Sequence, residues 1–203
     1  MSVFTRAATC AVVLLAVAPV AAAAERPSPA GWVDDRVDTL AETLGEAAQT
    51  SPQAFGEVTF AQVDRLTDLE TAGARLFGAL WEEASEHQRQ RFVERYAILL
   101  ARVYDTTIAE RAPKLEHDVL GARRVGEELV EVGAEATVPD QGTMRVRYEL
   151  IPCQEHDWAI INVVVDGVDL LHLVRESLRS TYPDGAPSSL RSINRWLARR
   201  SDS

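Results

Sequence analysis

From His117 onward apolar and polar residues alternate with period two, and this constrains the fold more than any other feature of the chain. Val119–Val125, Glu128–Val138, Thr143–Cys153 and Trp158–Val165 read as four strands. Gly126, Gly133, Gln141-Gly142 and Gln154 to Asp157 supply turns, bulges or ends. Short connections of this kind make an antiparallel meander. In the third strand Met144, Val146, Tyr148 and Leu150 share one face while Arg145, Arg147 and Glu149 share the other, so one side faces a core and the other water. The strand Trp158–Val165 is apolar on both faces, which predicts a central position or cover on its second face.

The residues before the strands are helical. Trp32, Val37, Leu40, Leu44 and Ala47 recur at helical spacing with Asp34, Asp35, Asp38, Glu42 and Glu46 between them, predicting an amphipathic helix that ends near Ser51-Pro52. A short helix is expected over Thr59–Leu66, and Asp68 can cap another over Leu69–Ala84. Ser85 followed by Gln88 is a capping box, opening a helix that runs to about Glu110, before Ala112-Pro113. Two apolar rows, Phe92, Tyr96, Leu99, Val103 and Val93, Ala97, Leu100, Tyr104, Ile108, make its greasy face too wide for one seam. Such a helix is either a core element packed on both sheet and helices or one wall of a cavity. After the strands, Asp166-Gly167 turns the chain and Asp169 can cap a helix over Leu170–Thr181. A loop Tyr182-Pro183-Asp184-Gly185 leads to a last helix, Ser188 to Arg200, presenting Leu190, Ile193 and Leu197 inward. Its Arg191, Arg195 and Arg199 suit a solvated face or a docking patch for phosphate headgroups or an acidic partner.

Residues 1–24 are of another kind. Arg6 is their only charge, Ala7 to Ala24 is apolar, and Ala22-Ala23-Ala24 before Glu25 is a small-residue cleavage pattern, which predicts a secretory signal peptide. Glu25 to Gly31 then reads as a linker and 32–200 as one domain. Cleavage removes Cys10 and leaves Cys153 alone, a free thiol with no cationic sequence neighbour to activate it. The charge of −10 disfavours a nucleic-acid partner. Glycine-rich phosphate loops, nucleophile elbows, zinc-spaced histidines and dinucleotide fingerprints are all missing, so neither a catalytic residue nor a metal or cofactor site is expected. Glu155-His156-Asp157 carries ligand-type residues but sits in an expected hairpin turn. The expected architecture is α+β, a curved antiparallel sheet of about four strands covered on one face by several helices in an NTF2-like or cystatin-like cone.

Two stretches carry a resemblance. Leu76 to Tyr104, with Trp81 followed by Gln88-Arg89-Gln90-Arg91-Phe92, and Met144 to Leu178, with Trp158 followed by the Val-Asp-Gly-Val turn and Arg175, resemble the MlaC family, or toluene-tolerance auxiliary proteins. The resemblance runs in order from about Thr59 to Leu197. It implies a periplasmic carrier, a phospholipid ligand, no catalysis, and transient contacts with an inner-membrane ABC transporter bearing an MCE-type ring and with an outer-membrane lipoprotein complex. The shuttling it implies maintains outer-membrane lipid asymmetry, and the chain is expected to work as a monomer. Asn162, Asp166, Asp169, Leu173-Val174 and Ser177-Leu178 depart from the family pattern, and these departures bear on headgroup preference and docking partner.

A phospholipid's two chains hold about thirty methylenes, and at about 0.8 kcal/mol each their transfer from water is worth more than about 20 kcal/mol. A water-soluble carrier must therefore hide them in an apolar cavity. The expected lining is Trp81, Phe92, Tyr96, Leu99, Val103, Val146, Tyr148, Leu150, Ile160, Leu170, Leu173 and Val174, with Arg175 near the mouth as a phosphate contact. Three other readings stay open: a carrier for another lipid such as a hopanoid, a lipid-free transporter adaptor, and a small ketosteroid-isomerase-like enzyme using Tyr104 with Asp105 or Tyr148 with Glu149.

Overall fold

The structure is a computed structural model that describes residues 26–108, 116–138, 142–181 and 189–201. The expected signal peptide, the Ala112-Pro113 stop and the Tyr182 to Gly185 loop lie outside the described residues. Ser28 opens helix α1 (Pro29–Thr50), its Oγ accepting from Gly31 N at 3.1 Å with Pro29 at the first turn. The helix thus begins inside the expected linker, because a Ser-Pro pair makes a start where proline's missing N–H costs nothing. The same chemistry corrects the next boundary. Ser51 caps α2 (Pro52–Leu66), its Oγ accepting from Ala54 N at 3.1 Å, so Pro52 starts a longer helix as well as ending the first.

Asp68 caps α3 (Leu69–Phe77) as expected, through a 2.8 Å bond from Thr71 N. The single helix expected over Leu69–Ala84 is broken at Gly78, whose φ of +51° only glycine adopts readily. The chain resumes as α4 (Ala79–Glu82). The break swings Trp81 back over Gly73, against which its ring packs. Then α5 (Glu86–Ile108) follows the half of the capping box formed by Ser85 N donating to Gln88 Oε1 at 3.0 Å.

The sheet is a five-stranded antiparallel meander in chain order, β1 (Glu116–Arg124), β2 (Val130–Val138), β3 (Gly142–Cys153), β4 (Asp157–Val165) and β5 (Val168–Asp169). The fifth, two-residue strand was not expected. It closes the hairpin at Asp166-Gly167, where φ values of +49° and +81° give the two-residue turn whose twist suits antiparallel strands. Where β5 stops, β4's edge is covered at one point by the α2–α3 junction: Asp68 N donates to Ile160 O at 3.0 Å, beside a parallel bridge between Thr67 and Ile160. Helices α6 (Leu170–Thr181) and α7 (Leu190–Ser201) complete the chain, α6 with Asp169 Oδ1 accepting from His172 N at 2.9 Å.

Cross-strand register fixes the faces. Val132, Tyr148 and Val163 lie side by side on the front, Glu131, Glu149 and Asn162 on the back. The front packs under α1, whose Trp32, Val33, Val37 and Leu40 join Leu66, Val130, Val132, Leu150 and Trp158. Two indoles pin this arrangement: Trp32 Nε1 donates to His156 O at 2.8 Å and Trp158 Nε1 to Pro27 O at 2.9 Å. The Glu155-His156-Asp157 turn is thus an anchor for α1. The back of β4 is covered by α3 and α6, which accounts for its two apolar faces. The long helix α5 packs on α2, α3 and α7, in place of the sheet-and-helix position open to it in the sequence.

Candidate functional site

The front face of the sheet divides into two apolar regions. One is filled by α1. The other comprises Ala134, Ala136 and Val146 with Val119, Tyr148 and Val163 packed on them; all of these described members are strand side chains, and Val119 and Tyr148 border the part that α1 covers. Period-two alternation puts these residues on one face, and β2 shows it most clearly, with Val130, Val132, Ala134, Ala136 and Val138 all buried. The small Ala134 and Ala136 beside Val146 leave this part of the face shallow.

Behind β4 lies a helical core. Phe92 meets Trp81 edge-on at 5.3 Å and 86°, Phe77 edge-on at 5.2 Å and 87°, and stacks on Tyr96 at 5.2 Å and 29°. Leu190, Ile193, Trp196 and Leu197 of α7 close around them, with Leu99, Leu171 and Val174 at the edges. The two groups of expected lining residues are therefore separate. Trp81, Phe92, Tyr96, Leu99 and Val174 belong to the helical core, Val146, Tyr148, Leu150 and Ile160 to the front of the sheet. Leu170 is half-buried at the start of α6 and Leu173 is 49% exposed on it. Val103 falls in α5, its side chain outside the described residues. Sequence reasoning passed over Trp196 and Asn194 of α7. Asn194 Nδ2 donates to Gln88 O at 2.9 Å and Arg95 donates to Asn194 O, which ties α7 to α5. Apolar spacing alone finds Trp196, one residue before Leu197.

Arg175 sits elsewhere, in a polar pocket of about 200 Å³ with Arg75, Glu149, Asn162, Asp169, Leu171 and His172. Arg75 Nη1 lies 3.1 Å from Glu149 Oε2, and Leu171 N donates to Asn162 Oδ1 at 3.4 Å. Glu149 and Asn162 belong to the back of the sheet, so the sheet's thickness separates Arg175 from the strand-built apolar region. With two arginines facing two carboxylates, and a volume below the roughly 300–1,000 Å³ typical of ligand pockets, it is no place for acyl chains.

Two titrating groups define the chemistry available. Burial, reinforced by the negative charge of Asp169, raises the Tyr96 phenol, so it stays neutral and serves as an apolar wall. Burial lowers His117 and outweighs the opposing pull of Asp34, Asp38 and Asp118; its Nε2 lies 3.1 Å from the Tyr148 hydroxyl. A base whose folded pKa is depressed takes up its proton first in the unfolded chain, so its contribution to stability is present above the ordinary histidine value of about 6.5 and is lost as pH falls below it. Denaturant midpoints at pH 7.5 and 5.5 test this: the drop in the native protein should shrink in His117→Gln, and an equal drop in both would refute it. The pair Tyr148 and Glu149 offered for enzyme chemistry is divided by the sheet, Tyr148 facing His117 in front and Glu149 facing Arg75 behind. Tyr104 and Asp105 have side chains outside the described residues.

Among solved structures, the phospholipid-binding protein from Ralstonia solanacearum, determined in complex with a phospholipid, superposes with a TM-score of 0.71 at 14% identity, covering 87% of this chain and 98% of that one. At that identity the likeness establishes a shared fold. No curated protein matches the chain in sequence. The family model described as MlaC protein matches residues 34–192, from the first turns of α1 into α7, taking in the Trp81–Phe92 packing, the whole sheet and α6. The chain belongs to the MlaC family.

Proposed function

We propose that the protein is an exported, periplasmic carrier that holds a glycerophospholipid by its acyl chains against the front of the sheet. It delivers the lipid between an inner-membrane ABC transporter complex with an MCE-type ring and an outer-membrane lipoprotein complex, so maintaining lipid asymmetry. The observation that carries this is the apolar region at Ala134, Ala136, Val146 and Tyr148, whose described members are all strand side chains. The phospholipid in the R. solanacearum protein of the same fold supports it. No described helix is long and apolar enough to cross a membrane. Val146 and Tyr148, with Ala134, Ala136 and Val163 beside them, are the proposed wall, whereas α1 covers Leu150 and Ile160. Burial of about thirty methylenes makes unaided release slow, which is why such a carrier works through membrane complexes that open it.

Native mass spectrometry of mature protein purified without detergent, followed by lipid extraction, tests the reading. About one phospholipid per chain is expected, within the affinity such burial allows. Recovery of a hopanoid or another lipid class would keep the carrier and change its cargo. An empty protein that also takes no lipid from vesicles would end the proposal and leave the adaptor reading.

A further inference from the structure

The back of the sheet has an unexplained gap. At its β1 end two glycines, Gly121 and Gly133, face each other across neighbouring strands, and the next residue along that row is Arg147. The missing side chains leave a trough of about 340 Å³, lined by Leu120, Gly121, Ala122, Arg123, Glu131, Gly133 and Arg147. Gly121 is explained by the fold: its φ is +145° and it follows the β-bulge at Leu120. Gly133 is its partner across that bulge. Its φ is not positive, and a Cβ built on it meets nothing within 4 Å, so the chain itself would tolerate a side chain there. Glycine at this position adds no packing of its own and leaves the floor of the trough open to another group.

Two further features point the same way. Leu120, bulged out of β1, is 66% exposed, more than any other large apolar residue described, and it forms the trough's apolar wall. The rim is cationic in a chain of net charge −10. Arg123 and Arg147 share one carboxylate, Glu131, at 2.6 and 3.8 Å, which leaves one positive charge uncompensated at the trough. Moreover, β1 is the edge strand of the described sheet, so a partner chain can reach the trough from the side.

We propose that this trough is a docking site for a partner protein that inserts one large apolar side chain, aromatic by preference, over Gly121 and Gly133 and sets adjacent carboxylates against Arg123 and Arg147. It rests on the carrier reading for its purpose, since a lipid carrier must dock to be emptied. It lies on the opposite face from the proposed lipid wall, so the protein can engage a membrane complex while loaded.

Two measurements decide it. The first is independent of lipid: amide NMR shifts on titration with the peptide Ac-Glu-Trp-Glu-amide, with Ac-Lys-Trp-Lys-amide and Ac-Glu-Ala-Glu-amide as controls. The acidic tryptophan peptide should move Leu120, Ala122 and Gly133, the controls should not, and Gly133→Val should abolish the response. The second compares delivery of fluorescent phospholipid from loaded protein to membrane vesicles of the source cell and to protein-free liposomes. Gly133→Val, whose side chain meets no neighbour within 4 Å at its Cβ, and the exposed-site variant Leu120→Glu should load lipid as the native protein does. Both should deliver to native vesicles about tenfold or more slowly, as loss of a central interface contact does, with no change toward liposomes. Unmoved trough amides, or native delivery rates in folded Gly133→Val and Leu120→Glu, overturn the proposal. So does a native dimer that either variant dissolves, which would assign the trough to a second copy. A protein that takes up no lipid defeats the carrier reading, and the peptide titration then decides the trough by itself.

Discussion

Phe92→Ala is expected to lower the unfolding free energy by about 3–5 kcal/mol, the range for deleting a fully buried aromatic ring. Phe92 is 0% exposed and touches three other rings, Phe77, Trp81 and Tyr96, so the loss includes aromatic contacts as well as apolar area. The cavity cannot collapse easily, because its walls are held from two sides. Arg89 donates to Trp81 O at 3.0 Å and to Glu82 O at 3.1 Å, fixing α4, while Asn194 and Arg95 fix α7 to α5. A thermal melt should move down by about 10 °C or more for a domain of this size. Phe92→Leu, which refills most of the volume, should recover about half of the loss. A shift of Phe92→Ala below about 1 kcal/mol would show that this packing is not the stability core.

Gly73→Ala carries the second-largest effect, and two physical rules disagree about its sign. Helix propensity favours alanine over glycine by about 1 kcal/mol at an interior position such as this one in α3. Sterics oppose it: the added Cβ would lie 2.5 and 2.7 Å from carbons of the Trp81 ring and 2.9 Å from Phe92. Trp81 cannot swing aside, since it is buried and wedged edge-on against Phe92. Overpacking a filled core costs about 1–3 kcal/mol, so after the propensity gain a net destabilisation of about 1 kcal/mol, and at most about 2, is expected, read as a lower denaturant midpoint at unchanged slope. Trp81→Leu should suppress it by removing the ring, a double-mutant coupling that a propensity effect would not show. Stabilisation by Gly73→Ala would contradict the packing described.

That glycine also shows what sequence reasoning can reach. The motif Trp81, Gln88-Arg89 and Phe92 was legible as a unit, and the structure explains its spacing: Arg89 closes the carbonyl end of α4, lies over the indole, and hands the ring on to Phe92. The four longer strands were legible because alternation with one wet face survives any tertiary arrangement. The break at Gly78 was not, since Leu76, Leu80 and Trp81 keep helical spacing across it. Pro52 was read only as a stop because proline punctuates both ends of helices, and the serine before it decides which. The candidate site was half legible. Val146, Tyr148 and Leu150 fall on one face by parity alone. The wide stripe on α5 was ambiguous because apolar periodicity does not say whether lipid, sheet or α7 meets it. Arg175 landed behind the sheet because a helix entered through a two-residue turn can fold onto either face, and no local signal chooses.

The two indole bonds that fix α1 span 124 and 131 residues of sequence. The first helix to be made must therefore wait for the turn between the third and fourth strands, far along the chain, before it can seat. Contacts of such long range close slowly, and neither of them can form before the turn between β3 and β4 has been synthesised. The other end of α1 packs on α2 through Leu44, Ala47 and Phe55, so the amino-terminal end of α1 is the last part of that helix to be fastened.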